Sequence, residues 1–294
     1  MMRSMYAAVA GLRNHQIRMD VIGNNIANVN TVGFKSSRVT FQDTFYQLIR
    51  SGAAPVQGGT GGTTPRQVGI GMAINTIDTY FTQGAVLPTG NFTDLMIQGD
   101  GLFLVTPNPA ASFADATTLP TSDVLFTRAG VFGFDADGNL VNKSNGMYVL
   151  GRQWDANSNQ PTGNYQPIKV SNFATANTVT INARGQVVVD GQAQWVVALA
   201  KFPNPEGLIK KGENLFSYDP AAGDLANDTK LGTAGDSNAG LGKTTIVPGA
   251  LEMSNVDLAL EFTEMITTQR GFQANARTIT TSDEMLQELV NLKR

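Results

Sequence analysis

Cysteine is absent from the 294-residue chain, which excludes disulfides, thiolate nucleophiles and Cys-ligated metals in one step. Histidine is almost absent too. His15 is the only one, so a Ser-His-Asp triad or a zinc centre would have to be built on a single imidazole, where most metal sites need more. Charge is scarce: Asp, Glu, Lys and Arg make up 15% of the residues, against about 25% in average soluble domains. Twenty-one basic and 24 acidic residues leave a net charge of −3, and the basic stripe usual in nucleic-acid binders is missing. No run of about 18 apolar residues occurs, so membrane insertion is not expected. The N-terminal apolar stretch Met5–Leu12 makes a poor secretion signal: it is short, contains Gly11, and runs into Arg13, His15 and Arg18 without a small-residue cleavage site.

Hydrophobic residues are nevertheless 41% of the chain and aromatics 8%, enough for a substantial core. They are arranged differently at the ends and in the middle. Met5, Leu12, Met19 and Ile26 recur every seven residues, with Val9, Gln16 and Gly23 between them, the alternating four-and-three spacing of a coiled-coil seam. The C-terminal end repeats the pattern over a longer span. Leu258, Met265, Phe272, Ile279 and Leu286 alternate with Phe262, Gln269, Ala276, Asp283 and Val290, and no proline occurs from Ser254 to Arg294. The spacing predicts a helix over 255–292, with Ser254 or Asn255 as N-cap and Asp257 early in the first turn. The mixed intermediate positions suit a helix that meets several neighbours, some of them polar.

Between the ends, short β-prone segments alternate with Gly, Asn and Pro. Expected strands include 95–98, 101–105, 124–127, 131–134, 147–150, 168–170, 178–181, 186–189 and 195–200, the pattern of an all-β sandwich or barrel-like domain. Asp137-Gly138-Asn139 reads as a hairpin turn. As a calcium loop it fails, with glycine at the fourth position and Gly146 where a bidentate Glu belongs. Ser51–Pro65 and Pro220–Lys243 read as surface loops by composition. Gly58, Gly59, Gly61 and Gly62 lack the Lys-Ser/Thr pair and the strand–turn–helix frame of a phosphate cradle.

No chemistry emerges. No acidic residue lies within four positions of His15, and nothing singles out a carboxylate pair. The chain is read as a non-enzyme with no catalytic, cofactor or metal residues. The fold class expected is α+β: long terminal helices packed as a coiled-coil-like inner domain, with a mainly antiparallel β outer domain between them. The boundaries are 1–35 for the N-terminal helix, 36–75 for an extended connector with a Gly-rich loop, 76–248 for the β domain and 249–294 for the C-terminal helix. Two such helices offer each other one narrow contact, so apolar positions on them need further neighbours. Copies of the same chain meet that need, and head-to-tail contacts that do not close generate filaments. The expected packing positions are Met5, Val9, Leu12, Met19, Ile26, Leu258, Phe262, Met265, Phe272, Ile279, Leu286 and Val290.

The residues at both ends also resemble a known family. Asn25-Ile-Ala27-Asn28-Val-Asn30-Thr31-Val-Gly33-Phe34-Lys35 and Phe41-Gln-Asp43 resemble the N-terminal signature of the bacterial flagellar rod and hook proteins. Gly249–Asp257, Glu264–Asn275 and Thr280–Leu286 are similar to its C-terminal signature, and Asp94–Phe103 and Phe126–Gly130 to the start of its β domain. In physical terms, Asn25, Asn28, Asn30 and Thr31 can satisfy backbone groups freed at a helix end, Gly33 can take a positive φ, and Phe34 can anchor the exit against a neighbouring helix. The resemblance implies a homopolymeric extracellular tube, exported unfolded by the flagellar export apparatus without a cleaved signal. Its implied partners are the other axial proteins: distal rod, hook cap and hook-filament junction. Within the family, the C-terminal stretches 269–276 and 286–294 look like the shorter hook subunits, so a flexible torque-transmitting hook is placed first. The connector through 43–66 is like the distal rod protein, the alternative. A carbohydrate-binding adhesin using Trp154, Tyr165 and Trp195, or a glycosidase with two carboxylates, is more remote.

Overall fold

The computed structural model describes residues 2–55, 61–114, 123–155, 160–171, 173, 175–176, 178–223, 230–236 and 239–292. The fold is α+β, with one long helix at each end of a mostly antiparallel β region. The chain divides into two compact units. One comprises 1–27, 37–80 and 256–294; the other comprises 28–36 and 81–255.

The first unit contains helices α1 (Met2–Ala27) and α2 (Leu258–Asn291) and strands β1 (Ser37–Asp43), β2 (Tyr46–Arg50), β3 (Arg66–Gly69) and β4 (Met72–Thr79). The N-cap of α2 is Asp257, whose carboxylate accepts from the amides of Ala259 (2.9 Å) and Leu260 (3.4 Å). Asp257 takes that role instead of the expected Ser254 or Asn255; the Asn255 side chain accepts from the Ser36 amide (2.8 Å) and donates to the Thr82 hydroxyl (2.8 Å). The helices are antiparallel: Asn25 meets Glu261, Arg18 meets Glu264, His15 lies on Gly271 and Gly11 lies under Asn275.

The contact row of α1 is Ala8, Gly11, His15, Arg18, Ile22 and Asn25, one residue N-terminal to the apolar heptad read from the sequence. On α2 the buried positions are Glu261, Thr268 and Ser282, again one residue before Phe262, Gln269 and Asp283. Small residues let the two backbones approach. Thr268 and Ser282 satisfy their buried hydroxyls by donating to the Glu264 and Thr278 carbonyls, both at 2.7 Å. Larger apolar side chains are displaced to the flanks. Met5, Leu12, Met19, Ile26, Met265, Phe272, Ile279 and Leu286 are half-buried, whereas Val9, Leu258, Phe262 and Val290 are exposed.

The stretch expected as an extended connector holds four strands. β1 pairs antiparallel with β4, and β2 with β3. The second ribbon continues through an Ala53–Thr63 bridge, so the flanks of the Ser51–Pro65 segment are paired; Gly58 and Gly59 of the expected loop lie outside the described residues. The signal was in the sequence as Thr, Val, Ile and Tyr content, but the surrounding glycines masked it.

The second unit contains β5 (Val86–Pro88), β6 (Leu95–Gln98), β7 (Leu102–Thr106), β8 (Leu125–Thr127), β9 (Phe132–Phe134), β10 (Leu140–Asn142), β11 (Tyr148–Asp155), β12 (Gln160–Pro167), β13 (Val179–Ile181) and β14 (Gln186–Val189). It continues with β15 (Gln192–Val197), β16 (Leu199–Lys201), β17 (Ile209–Gly212), β18 (Leu215–Ser217), β19 (Lys230–Gly232), β20 (Thr245–Pro248) and β21 (Ala250–Glu252). The main sheet runs β13-β14-β15-β11-β7-β8-β18-β17. The expected turn at Asp137-Gly138-Asn139 joins β9 to β10, with Gly138 at φ +78°. The expected strand at 168–170 is instead a single bridge, Asn139 to Lys169.

β7 shows why the sheet is buried on both faces. Successive side chains of a strand point to opposite sides. Phe103 and Val105 join the cluster of Phe132, Leu140, Trp195 and Val197, while Leu102 and Leu104 join that of Phe113, Phe126, Tyr165 and Phe202. An uninterrupted apolar run in a strand is the signature of such double burial.

Candidate functional site

The signature residues around 25–35 fall into two constellations, one in each unit. In the helical unit, Asn25 is buried at the end of α1 and uses its whole amide. Its Nδ2 donates to the Ser37 carbonyl (2.8 Å) and to Glu261 Oε1 (2.9 Å), and its Oδ1 accepts from the Ser37 amide (3.0 Å). One side chain therefore fixes the start of β1 and a buried carboxylate of α2. Burial pushes the Glu261 carboxyl up, with the Asn25 hydrogen bond opposing. Ala27 is the last residue of α1 and is exposed.

In the β unit, the chain after α1 turns through Asn28 and Thr31. The Thr31 amide donates to the Asn28 carbonyl (3.1 Å) and its hydroxyl to Asn28 Oδ1 (3.0 Å). Gly33 follows at φ +69°, its amide donating to the Glu252 carbonyl at 2.8 Å. A Cβ at Gly33 would lie 2.7 Å from the Ala129 nitrogen, so glycine is required for space as well as for φ. The Lys210 ammonium from β17 sits 5.1 Å from the Phe34 ring centroid.

Lys35 lies at the centre of this constellation. It is 1% exposed, and its ammonium donates to Glu252 Oε1 and to the Thr82 carbonyl, both at 2.7 Å. Glu252, also 1% exposed, accepts in addition from Arg128 Nε (2.5 Å) and the Gly84 amide (2.9 Å). Arg128, just after β8, also donates to the carbonyls of Ile97, Gly99 and Gly101. One carboxylate thus bridges two cations out of water. Burial opposes the charge of Glu252, but Arg128 and Lys35 together hold its carboxyl below the usual range. Burial likewise draws the Lys35 ammonium down, with Glu252 opposing. Neighbouring Lys210 tucks its ammonium over Phe34 and donates to the Lys35 carbonyl (2.9 Å); desolvation draws it down to about 8.

Three segments distant in sequence meet here: the end of the N-terminal signature, the loop after β8, and β21. The sequence reading missed Arg128 and Glu252 as partners of Lys35. Both stand inside stretches that carried the family resemblance, and a lone Lys, Arg and Glu far apart in sequence give no signal of their meeting.

Large apolar residues without cover form the other feature. On α2 and its C-cap these include Leu258, Leu260, Phe262, Ile266, Leu289, Val290 and Leu292. On the antiparallel register of the helix pair, the start of α1 meets α2 near Glu284, so 285–291 extends past it. The β2–β3 ribbon and its flanks expose Phe45 (86%), Tyr46, Leu48, Ile49, Val68 and Ile70. Contiguous apolar exposure of this kind marks interaction surfaces. The aromatic residues considered as a sugar platform do not assemble one. Tyr165 is buried and stacked on Phe113, and Trp195 is buried with its Nε1 donating to the Lys169 carbonyl at 2.8 Å, leaving Trp154 half-buried. Among the described residues no helix is long and apolar enough to cross a membrane.

Comparison with known proteins matches these regions. Residues 5–35 match the profile of flagella basal body rod proteins, 96–189 that of the flagellar hook protein FlgE/F/G D1 domain, and 247–292 that of the flagellar basal body rod FlgEFG C-terminal region. The chain is 43% identical to the flagellar basal-body rod protein FlgG of Bacillus subtilis over an alignment of 302 positions that spans both chains entirely. It is 34% identical to FlgG of Agrobacterium fabrum, covering 97% of each. It is 31% identical to the flagellar hook protein FlgE of Borreliella burgdorferi over 464 aligned positions, again all of both chains. The signatures, the terminal helices flanking a β region in sequence and these full-length similarities agree: the chain belongs to the flagellar rod and hook protein family, the axial structural proteins of the bacterial flagellum.

Proposed function

We propose that the chain is a distal rod subunit, a protein without catalytic activity that polymerises with its own copies into a stiff tube carrying motor torque. The observation that carries this reading is the β2–β3 ribbon. A hook must bend as it turns, so its subunits change contacts once per revolution, and a slack Gly/Thr-rich tether would suit it. The ribbon is instead paired from Tyr46 to Gly69 and beyond β2 by the Ala53–Thr63 bridge, with every residue of both strands exposed. A two-stranded ribbon has little stability alone; seated between copies, its apolar side chains are covered and it acts as a wedge. The full-length similarity to rod proteins supports the same assignment. The hook, placed first from the sequence, is the second reading, favoured by the similarity to a hook protein.

In this reading the exposed Val9, Leu258, Phe262 and Val290 contact neighbouring copies, and the half-buried Met5, Leu12, Met19, Ile26, Met265, Phe272, Ile279 and Leu286 close the gaps between helix pairs. The tube joins other flagellar axial proteins after delivery by the flagellar export apparatus. Deleting 52–64 tests the assignment by imaging of polymers. Wild-type polymers are expected to be straight and the shortened ones bendable, with polymerisation retained because the helical contacts lie outside the deletion. Curved, supple wild-type polymers would return the chain to the hook.

A further inference from the structure

The single histidine of the chain sits at a close crossing of the helix pair. His15 on α1 lies over Gly271 on α2, so closely that a Cβ at Gly271 would be 2.9 Å from the imidazole Cε1 and Nε2. The arrangement is reciprocal one turn away: Asn275 on α2 lies over Gly11 on α1, 2.6 Å from where a Cβ would stand. Each helix fills the notch that glycine leaves in the other. β1 closes the third side with Phe41, whose ring meets the imidazole edge-on at 5.7 Å between centroids. The His15 Nδ1 is buried and has no hydrogen-bond partner.

The groups around it decide what protonation would do. On α1 the nearest charge is Arg18, whose guanidinium lies 5.7 Å from the same Phe41 ring. On α2 the nearby carboxylate is Glu264, already paired with Arg18 at 3.1 Å. β1 presents uncharged Phe41; of its charged residues, Arg38 lies over Tyr80 and Asp43 interacts with Tyr46. β4 approaches α1 through the Met72 carbonyl, which accepts from Asn14, and its Asp78 stands opposite Arg38. An imidazolium would therefore carry a buried N–H without an acceptor, beside a second cation, with the local carboxylate already engaged. An uncharged imidazole fits the notch at no such cost.

We infer that His15 is an acid-sensitive latch of the helix pair: α1 and α2 lock through the two glycine notches while the imidazole is neutral, and protonation opens the crossing. Desolvation, then Arg18, favours the neutral form in the folded chain. The sign follows. Above the ordinary histidine value of 6.5 the latch is closed without penalty; as pH falls below it, the unfolded ends take up a proton that the paired helices resist. Each unit of separation between the two states changes the opening equilibrium about tenfold. Because the helix pair carries the surfaces assigned above to contacts between copies, this inference rests on that reading for its biological effect, but the latch itself does not.

The test uses the full chain in two forms, wild type and His15→Gln, which keeps a planar polar side chain that cannot titrate here. The helical circular-dichroism signal is followed through urea unfolding at pH 7.5 and pH 5.0. The wild-type midpoint is expected to fall more between the two conditions than that of the variant; carboxylates such as Glu261 contribute equally to both. Equal pH shifts in the two proteins would overturn the latch. Should the variant fail to fold, the wild type alone decides through the proton resonance of the imidazole, unambiguous because the chain has one histidine. A midpoint below 6.5 that tracks loss of helix supports the latch, and a midpoint at or above 6.5 refutes it. Polymer growth at the two pH values, read separately, reports on the assembly role: a pH-dependent helix pair with pH-independent polymers would leave the latch standing and remove that role.

Discussion

Replacing Glu252 by Gln perturbs the β unit at its most enclosed charge. The carboxylate accepts three hydrogen bonds from three donors of different origin: the Lys35 ammonium at 2.7 Å, Arg128 Nε at 2.5 Å and the Gly84 amide at 2.9 Å. A Gln side chain keeps one acceptor and turns the other position into a donor facing either Lys35 or Arg128. Both cations stay buried, and the charge that balanced them is gone. Breaking a buried ion pair on one side costs about 3–5 kcal/mol, and the lost Gly84 or cation hydrogen bonds place the variant at the upper part of that range. For a unit of this size about 2–4 °C accompanies each kcal/mol, so the β-unit melting temperature should drop by about 10–20 °C. Lys35→Met should cost less, about 1–3 kcal/mol, because Glu252 keeps Arg128 and Gly84. The double variant should then lose at least about 1 kcal/mol less than the sum of the singles, since the contact can be lost only once. Thermal melts of the four proteins, read at the aromatic residues of the β unit, complete the cycle. The pH profile adds a check: with its carboxyl held below the usual range, Glu252 contributes stability that is present above about pH 4.5 and lost as pH falls, and that loss should be smaller in the Gln variant. A Glu252→Gln protein melting within 2 °C of wild type, or strictly additive effects, would refute the account of the junction.

Gly33→Ala should destabilise the β unit by about 2–4 kcal/mol, through positive φ and collision with the Ala129 backbone. Gly23→Ala, with nothing within 4 Å of its new methyl, should leave the helices equally or more stable by up to about 1 kcal/mol; urea titration of both variants checks the contrast. Phe272→Asp, at a half-buried position on the helix pair, should abolish polymer growth in a sedimentation assay while the β-unit melt stays put, because an unpaired carboxylate is disfavoured there and the β core lies elsewhere. Lys210, with its ammonium drawn down to about 8, should acylate faster than the other lysines at pH 8 in competitive labelling read by mass spectrometry, and Phe34→Ala should slow it toward the average.

The sequence by itself determined which kind of protein this is and where its helices lie. Absent cysteine and a single histidine left little chemistry to look for, and the heptads from Met5 to Ile26 and from Leu258 to Val290 fall within the two helices, because the period of apolar side chains is a local property; the N-terminal helix itself stops at Ala27, short of the expected 35. The Asp137-Gly138 turn and most of the strands around the core were legible for the same reason. What the tertiary structure decided is which side of each helix faces its partner. The apolar heptads placed Val9 and Phe262 among the expected packing positions, but the two helices approach through their smallest side chains, and Ala8, Gly11, Thr268 and Ser282 lie one residue away from the heptad positions. Likewise Lys35, Arg128 and Glu252 carry no individual mark of burial. Their charges are tolerable only because three segments far apart in the chain converge to neutralise one another, and convergence over such separations is a property of the folded chain, not of any stretch of its sequence.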